Sequence, residues 1–210
     1  EPVDNPDMQV GSIGRIYAHN WNAANIKILE DNPLPGTDLA AESQLERLIR
    51  QMKDKPYDTQ HILTSYDFTK KYQPQVSHTT NILNGNGALS PCHGIHVQFT
   101  IVPGKEGDEL HVLTSHRSQD CPVGKPYNVA MYALLTHMVA KLLPNTKAVS
   151  LTWVGANAHV YENQIPFIEE QTKRTPFKAP TIAFADEVKT YTSLKDFRMQ
   201  DIRLVNYQYH

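Results

Sequence analysis

Hydrophobic and polar positions alternate most regularly near the middle of the chain. Between residues 95 and 102 every second residue is apolar, namely Ile95, Val97, Phe99 and Ile101. A period of two is typical of a strand that buries one face. The glycine-containing turn at residues 103–107 and the apolar residues at 110–113 complete a predicted hairpin.

Helical periodicity appears on either side of this hairpin. Leu45, Leu48, Ile49 and Met52 recur at helical spacing, which predicts a surface helix over about residues 39–53. Residues 127–143 contain no proline or glycine and are apolar on most sides. We therefore expect a long helix there, buried against a sheet.

Four further segments are rich in β-branched and aromatic residues and are expected to be strands. They cover residues 61–66, 149–154, 181–184 and 202–207, and the glycine-rich cluster at residues 84–87 is expected to be a loop. The whole pattern predicts an α+β fold in which a mostly β layer is covered by a few helices. A chain of 210 residues is expected to form a single domain, residues 1–210.

Charge and cysteine content exclude several classes of protein. The chain has 20 Lys+Arg against 22 Asp+Glu, so no long-range field would draw it to nucleic acid or to an anionic membrane. Cys92 and Cys121 lack the spacing of a disulfide framework or a zinc site, and a reducing, cytoplasmic compartment fits them best. The longest apolar stretch is too short to span a bilayer, and no signal segment opens the chain.

Cys92 is the first candidate for chemistry. It follows a glycine-rich loop and precedes the alternating strand, where a side chain can face a cleft. A thiolate in such a place is a nucleophile when positive charge lies nearby. A lone cysteine at a strand end is nevertheless more often a small buried apolar residue. The catalytic hypothesis gains weight from the ordered polar residues at 117–128 and 153–161.

Several motifs in order resemble the thymidylate synthases and the related pyrimidine nucleotide hydroxymethylases of phages and antibiotic pathways. Residues 11–21 resemble the family's G-x-L-G-x-x-Y-G-x-x-W segment, and residues 90–93 resemble its P-C-H nucleophile motif. Residues 117–128 resemble R-S-x-D-x-x-x-G-x-P-[FY]-N, and residues 132–135 resemble the helix that follows. The resemblance runs from about residue 11 to residue 207 and is nearest to the phage-type dUMP hydroxymethylases. It implies the thymidylate synthase fold, a twisted mixed β-sheet covered by helices with a long buried central helix.

The resemblance also implies a role for individual side chains. Cys92 would add to C6 of a uracil ring, and Arg117 would favour the thiolate and pair with the nucleotide phosphate. Asn128 would read the pyrimidine edge, because an amide both donates and accepts hydrogen bonds. The other candidates are Ser118 for the phosphate, His159 and Tyr161 for the sugar 3′-hydroxyl, Asp120 and Gly124 for the folate, and Tyr17 and His93 for the polar network around the base.

Structural roles stand beside these functional ones. His159 and Tyr161 flank a strand end, where ordinary structural residues are common. Asp120 could cap a helix before Pro122, and Asn128 could cap the long helix. Cys121 has no role in the resemblance and is expected to be a packing residue.

The chain departs from the family at the phosphate site. Thr59 and Gln60 stand where the family has two adjacent arginines, which reach the site from the partner subunit. Each charge-assisted contact to phosphate is worth about 1.5–3 kcal/mol. Either the substrate differs at its 5′ end, or other cations substitute for the arginines, the candidates being Lys53, Lys55, Lys70 and Lys71.

Other departures bear on the product. The family's tryptophan that packs over the folate would fall near Val3, and its absence would let water reach the transferred carbon. His116 replaces a glutamine and Asn157 replaces an aspartate. The family's N-terminal segment and C-terminal tail have no counterpart before Glu1 or after His210, which implies that part of the acid-base machinery and a lid are missing unless the protein is longer.

The leading hypothesis is transfer of a one-carbon unit from 5,10-methylenetetrahydrofolate, as co-substrate, to C5 of a deoxyuridine nucleotide, forming 5-hydroxymethyl-dUMP. The close alternative is a thymidylate synthase that converts dUMP to dTMP and releases dihydrofolate. The alternative from another class is a non-catalytic descendant that binds a nucleotide or RNA. The resemblance further implies a homodimer packed through its β-sheets, no metal, and a cytoplasmic location, which is the host cytoplasm if the chain is phage-encoded.

Overall fold

The computed structural model describes residues 17, 20–22, 42–66, 75, 77, 80 and 90–209. The expected loop at residues 84–87, most of the motif at residues 11–21, Val3, Lys70 and Lys71 lie outside these residues.

Three helices and six strands form the framework of the described residues. In chain order they are α1 (Gln44–Asp54), β1 (Ile62–Leu63), β2 (His96–Gly104), β3 (Gly107–Asp120), α2 (Gly124–Leu142), β4 (Thr146–His159), α3 (Ile165–Thr172), β5 (Thr181–Phe184) and β6 (Ile202–Val205). Short 3₁₀ helices occupy Glu162–Gln164, Asp186–Thr190, Leu194–Asp196 and Met199–Asp201. None of the helices in this part of the chain is long and apolar enough to cross a membrane.

The main sheet has four strands in the order β1-β2-β3-β4. β2 pairs antiparallel with both β1 and β3, whereas β3 and β4 run parallel. Parallel neighbours need a crossover connection, and α2 supplies it. The predicted mixed sheet and long central helix are therefore confirmed, and β5 and β6 form a separate antiparallel pair.

The hairpin between β2 and β3 is confirmed and turns at Lys105 and Glu106, with Gly104 paired to Gly107. Gly107 has a φ of +125°, and a Cβ atom there would lie 2.5 Å from the carbonyl oxygen of Asn145. Both constraints require glycine at this position.

The core lies between one face of the sheet and the helices. Val97, Phe99 and Ile101 of β2 are buried on that face, as the alternation predicted, and Leu110 and Val112 of β3 are buried beside them. The helices complete the core with Leu48 and Met52 from α1 and with Tyr132, Val139 and Ala140 from α2.

The first helix begins later than predicted, at Gln44 rather than at residue 39, because Ser43 is its N-cap. The Ser43 hydroxyl accepts a hydrogen bond from the Glu46 amide, and the Glu46 carboxylate accepts one from the Ser43 amide. This reciprocal capping box satisfies two amides that have no partner within the helix. A hydrogen bond from Lys195 is the main reason that the pKa of Glu46 falls to about 2.

Predicted and observed strand lengths differ most for β1, β3 and β4. β1 has only two residues, whereas β3 and β4 have fourteen each. The extension is polar, with Ser118 paired to Asn157 and Asp120 paired to His159. Backbone hydrogen bonds between the strands hold these ends, and side-chain periodicity therefore does not reveal them.

Phe99→Ala should destabilise the protein by about 3–5 kcal/mol, because Phe99 is fully buried and its removal leaves a cavity under the sheet. The free energy of unfolding, measured by urea denaturation, checks this. Thr100→Ala, on the opposite face of the same strand, is the matched control and should cost far less, because it leaves no cavity under the sheet. Similar losses in the two variants would contradict the assignment of the faces.

Candidate active site

The turn that carries Cys92 lies against β3, just before β2 begins. The Arg117 amide donates to the Cys92 carbonyl at 3.0 Å, and the Ile95 amide donates to the Ser115 carbonyl at 3.0 Å. These bonds continue the pairing of β2 with β3. Cys92 is half-buried, so its thiol is accessible at the end of the strand pair.

Arg117 holds this turn from the outer side. Its Nε donates to the Pro91 carbonyl at 2.7 Å, and its Nη2 donates to the Ser90 carbonyl at 2.9 Å. The same Nη2 lies 3.5 Å from the Cys92 sulfur. Among the described residues Nη1 makes no hydrogen bond. The guanidinium can therefore stabilise a thiolate with one nitrogen and bind an anion with the other.

Tyr17 and His93 hold the turn from the inner side. The Cys92 amide donates to the Tyr17 hydroxyl at 3.0 Å, and the Tyr17 ring stacks on His93 with centroids 3.9 Å apart. Burial raises the pKa of Tyr17. His93 Nδ1 lies 3.0 Å from the hydroxyl of Tyr132, a fully buried residue of α2. The thiol therefore sits above a network of aromatic and imidazole rings.

Gly94 is required by the shape of this turn. Its φ is +63°, and a Cβ atom there would lie 2.0 Å from the Tyr132 hydroxyl oxygen. Ser65 fixes the same segment, because its amide donates to the Gly94 carbonyl at 2.8 Å and its hydroxyl donates to the His93 carbonyl. The backbone after Cys92 thus has little freedom to move.

Two histidines beneath the turn are neutral at pH 7. Burial lowers the pKa of His93 to about 4. Burial, and next the proximity of His93, lowers the pKa of His116 to about 4. Neutral imidazoles have one donor and one acceptor each, which makes their hydrogen bonds directional.

A second group of candidates lies where β3 and β4 end. Asp120 pairs with His159 across the two strands. One oxygen of Asp120, Oδ2, accepts from the Gly124 amide at 3.2 Å. The other, Oδ1, is buried and has no hydrogen-bond partner within the described part of the chain. His159 Nδ1 donates to the Asn157 carbonyl at 3.0 Å, and the ring of Tyr161 packs edge-on against His159 at 5.0 Å.

The remaining sequence candidates lie close to these groups along the chain. Ser118 follows Arg117 on β3, and Asn128 is half-buried on α2. Within the described ranges no hydrogen bond joins Asn128 to Cys92 or Arg117. The capping interpretation is wrong for Asn128, because α2 begins at Gly124 and has Val123 as its N-cap. Asp120 is not the N-cap either, although its carboxylate accepts a hydrogen bond from the Gly124 amide.

Thr59 and Gln60 lie in the exposed segment between α1 and β1. The Thr59 carbonyl accepts from the side chain of Gln98, which lies on the exposed face of the sheet. Both cysteines are free, and Cys121 is half-buried with its sulfur 3.7 Å from the Gln119 carbonyl.

Sequence reasoning missed four residues of the network under Cys92, namely Ser65, Thr114, His116 and Tyr132. Their contacts join segments far apart in sequence, and a hydroxyl in an apolar helix or strand gives no periodic signal. Tyr132 could have been found, because it places a polar hydroxyl inside a helix that was expected to be buried.

Tyr127 is also notable, since this aromatic residue in the first turn of α2 is 76% exposed beside Asp120 and Gly124.

Comparisons with known proteins agree on one family. The family model described as thymidylate synthase matches residues 4–210. A thymidylate synthase of Francisella tularensis is 30% identical over 200 residues, which cover 95% of this chain and 65% of the relative. One of Saccharomyces cerevisiae is 32% identical over 215 residues, covering 97% of this chain and 62% of the relative. This chain therefore spans less than two thirds of the length of these relatives.

A solved structure has the same fold. Thermostable thymidylate synthase A from Bacillus subtilis superposes with a TM-score of 0.72 at 24% sequence identity, covering 97% of this chain and 62% of that protein.

Stability should fall as the pH is lowered from about 6.5 towards 4. His93 and His116 have lowered pKa values in the folded state, so between these limits the unfolded chain binds protons that the folded chain does not. The expected loss is about 1–2 kcal/mol for each histidine. Urea denaturation at pH 7, 6 and 5 measures it.

The double variant His93→Gln with His116→Gln should show a weaker pH dependence of the free energy of unfolding. Gln171→Ala, at an exposed residue of α3 that does not titrate, is the control and should leave the slope unchanged. A wild-type free energy that does not vary with pH over this range would contradict the neutral state of the two histidines.

Proposed function

The chain belongs to the thymidylate synthase family, and from this premise we propose that it transfers a one-carbon unit to C5 of a deoxyuridine nucleotide. The observation that carries the proposal is the position of Cys92 between a guanidinium and a tyrosine-histidine network. A cysteine nucleophile needs a nearby cation that favours the thiolate and hydrogen bonds that fix the position of the thiol.

The chemical steps assigned to this chain start at the thiol. The Cys92 thiolate adds to C6 of the uracil ring, and the electron pair of the C5–C6 double bond moves to C5 and the 4-carbonyl. C5 would then attack the one-carbon unit, the C5 proton would leave, and the bond between that carbon and the folate nitrogen would break. Expulsion of the Cys92 thiolate restores the double bond. Tyr17 and His93 are the candidate groups for the proton transfers, because both lie beside the Cys92 turn.

The nucleotide is assigned to side chains on β3, α2 and β4. Arg117 offers its Nη1 to the phosphate, and the resemblance assigns the hydroxyl of Ser118, the next residue of β3, to the same phosphate. His159 and Tyr161 pack together at the end of β4, where two polar groups can bind the sugar 3′-hydroxyl. Asn128 reads O4 and N3–H of uracil, as an amide can.

Methylenetetrahydrofolate is assigned to the end of β3 and the start of α2. The Asp120 Oδ1 is a buried acceptor that lacks a partner among the described residues, and a donor on the pterin ring would satisfy it. Gly124 keeps space open beside this carboxylate, and the exposed ring of Tyr127 can stack on a flat ligand. The folate supplies the carbon and, in a synthase, also the hydride that makes it a methyl group.

The two candidate products differ in the last step. The names of the relatives favour methyl transfer with release of dihydrofolate, and the residues of the site fit it at least as well as hydroxymethyl transfer. Hydroxymethyl transfer is supported by the lack of a tryptophan near Val3, a position outside the described residues. Mass spectrometry of the nucleotide product distinguishes them, and growth of the dihydrofolate absorbance would rule out the hydroxymethyl product.

Cys92→Ser should abolish release of tritium from C5-labelled deoxyuridylate, because this exchange requires addition at C6. We expect a loss of the order of 10³-fold or more in the full-length protein. Cys121→Ser is the matched control and should retain the wild-type rate. Absence of exchange in the wild type would contradict catalysis and support a non-catalytic nucleotide-binding or RNA-binding protein.

We further propose that the chain forms a homodimer through the exposed face of the main sheet. Half-exposed apolar residues line up there on neighbouring strands, namely Ile62, Val102, Leu113 and Val154. These side chains lie among polar ones such as Gln98 and Thr100, and this apolar part of the face offers a surface that a partner can cover. A second copy of the chain is favoured as the partner because Thr59 and Gln60 lie at the border of this face. The resemblance implies that residues at these two positions reach the phosphate site of the partner subunit.

Leu113→Arg should convert the dimer to a monomer, because it places a charge in the middle of the apolar face. Sedimentation equilibrium of the full-length protein measures the mass. Leu204→Arg, at a similarly exposed site on the separate β5–β6 sheet, is the control and should stay dimeric. A monomeric wild type, or a Leu113→Arg variant that stays dimeric, would contradict this interface.

A further inference from the structure

Arg117 lies on the exposed face of the main sheet and has one positive charge for two tasks. It follows Leu113 by four residues on β3, so the two side chains share a face. Its Nη2 lies 3.5 Å from the Cys92 sulfur. A phosphate monoester carries about 1.5 to 2 negative charges at pH 7, and a guanidinium shared with a thiolate leaves much of that charge unbalanced. The nucleotide of the proposed function therefore needs a second cation.

The turn at residues 55–60 lies at the far end of the same face. The Tyr57 hydroxyl donates to Asp108 Oδ1 at 3.0 Å. Asp108 precedes Arg117 by nine residues on β3, which is roughly 30 Å at the rise of a strand. The cations of this turn therefore cannot reach Arg117 of their own chain. Lys125, the lysine nearest to Arg117 in sequence, belongs to α2, which covers the opposite face of the sheet.

Hydrogen bonds fix the backbone of this turn. Gln98 Nε2, on the exposed face of β2, donates to the Thr59 carbonyl at 2.9 Å. The Gln60 amide donates to Asp58 Oδ1 at 3.1 Å, and the Asp58 amide donates to the Lys55 carbonyl at 3.1 Å. A segment held in this way presents its exposed side chains at a low cost in entropy, as a binding surface requires.

Lys55 is the available cation at this end of α1. Arg50 is paired with two carboxylates, and Lys53 donates to a backbone carbonyl at 3.3 Å. Lys55 is exposed, and its ammonium group makes no ion pair or hydrogen bond within the part of the chain that the structure describes. It lines a polar cavity of about 230 Å³ together with Gln60. Its charge therefore lies beside a position where this chain has an uncharged side chain.

A second copy of the chain on the exposed face would bring the two ends of the face together. In an isologous dimer both subunits use the same patch, so a two-fold axis through the middle of the face exchanges its ends. The pair formed by Gln98 and Leu113 lies about midway along β3 between Asp108 and Arg117. An axis near this pair places the turn at residues 55–60 of one subunit over the Arg117 end of the other.

We propose that Lys55 of the partner subunit supplies the second cation of the phosphate site at Arg117. The inference rests on the proposed function and on the proposed dimer, because it assigns a residue to their nucleotide site. A lysine ammonium is a compact charge with three donors, which complements the planar guanidinium of Arg117. Each nucleotide site then consists of residues from two subunits, and Lys55 takes the place of the charge that Thr59 and Gln60 lack.

Binding of a nucleotide and of its nucleoside measures this charge. Calorimetric titration of the full-length protein compares deoxyuridylate with deoxyuridine, which has no phosphate. Lys55→Met should weaken the binding of deoxyuridylate by about 10- to 100-fold and leave that of deoxyuridine unchanged, and Lys55→Arg should restore most of the loss. Lys105→Met removes another exposed lysine at the same end of the face, and as the matched control it should change neither affinity.

Mixed dimers test whether the lysine acts across the interface. One subunit carries Lys55→Met and the other carries Arg117→Ala, and two different affinity tags isolate the mixed dimer. If Lys55 acts on the partner, one site keeps both cations and the other site has neither. Calorimetry should then find about one tight deoxyuridylate site per dimer, whereas both sites would be weak if each lysine served its own subunit.

Several outcomes would overturn the proposal. They are an unchanged deoxyuridylate affinity in Lys55→Met, an equal loss for deoxyuridine, an equal loss in Lys105→Met, a mixed dimer without a tight site, and a monomeric wild type. A wild type that shows the expected binding but releases no tritium from C5-labelled deoxyuridylate would instead contradict the proposed catalysis and leave the role of Lys55 supported.

Discussion

The placement of the thiol depends on the pairing of the Cys92 turn with β3. His116 and Arg117 are consecutive on this strand, so their side chains point to opposite faces. From the inner face His116 accepts from the Gly94 amide, and from the outer face Arg117 donates to the carbonyls of Ser90 and Pro91. A turn held from both sides cannot shift without breaking the buried Gly94–His116 bond or the bonds of Arg117, and the thiol geometry therefore follows from the strand register.

Burial beneath the turn sets the chemistry of the two histidines. Burial lowers the pKa of His93 and of His116, and it also excludes water that could otherwise bond to an unpaired ring nitrogen. A neutral buried ring therefore depends on donors and acceptors among its neighbours. His116 bonds the Gly94 amide and the Thr114 hydroxyl, and His93 Nδ1 bonds the Tyr132 hydroxyl. The close approach of Tyr132 to Gly94 excludes any side chain at position 94.

The sequence predicted the parts of the fold that depend on apolar periodicity. The β2–β3 hairpin and α2 were identified because alternating or continuous apolar residues mark a buried face. The polar ends of β3 and β4 were not, since only backbone pairing holds Ser118–Asp120 against Asn157–His159. At the candidate site, motif resemblance predicted roles for Cys92, Arg117, Tyr17 and His93, which the structure brings together and whose catalytic roles stay predictions. It could not identify Ser65 or Thr114, because hydrogen bonds between distant segments follow no local pattern.

Under the proposed function, Arg117 links the Cys92 thiol to the recognition of the nucleotide. Its bonds to two carbonyls hold the guanidinium in one orientation, which leaves Nη2 at the Cys92 sulfur and Nη1 open. A rigid cation loses less entropy when it binds an anion than a mobile one does. Thr59 and Gln60 carry no charge, so they cannot neutralise a phosphate as paired arginines would. Under the proposed function, phosphate binding therefore depends more on Arg117, whose guanidinium also faces the Cys92 sulfur, or on a substitute cation such as Lys53 or Lys55.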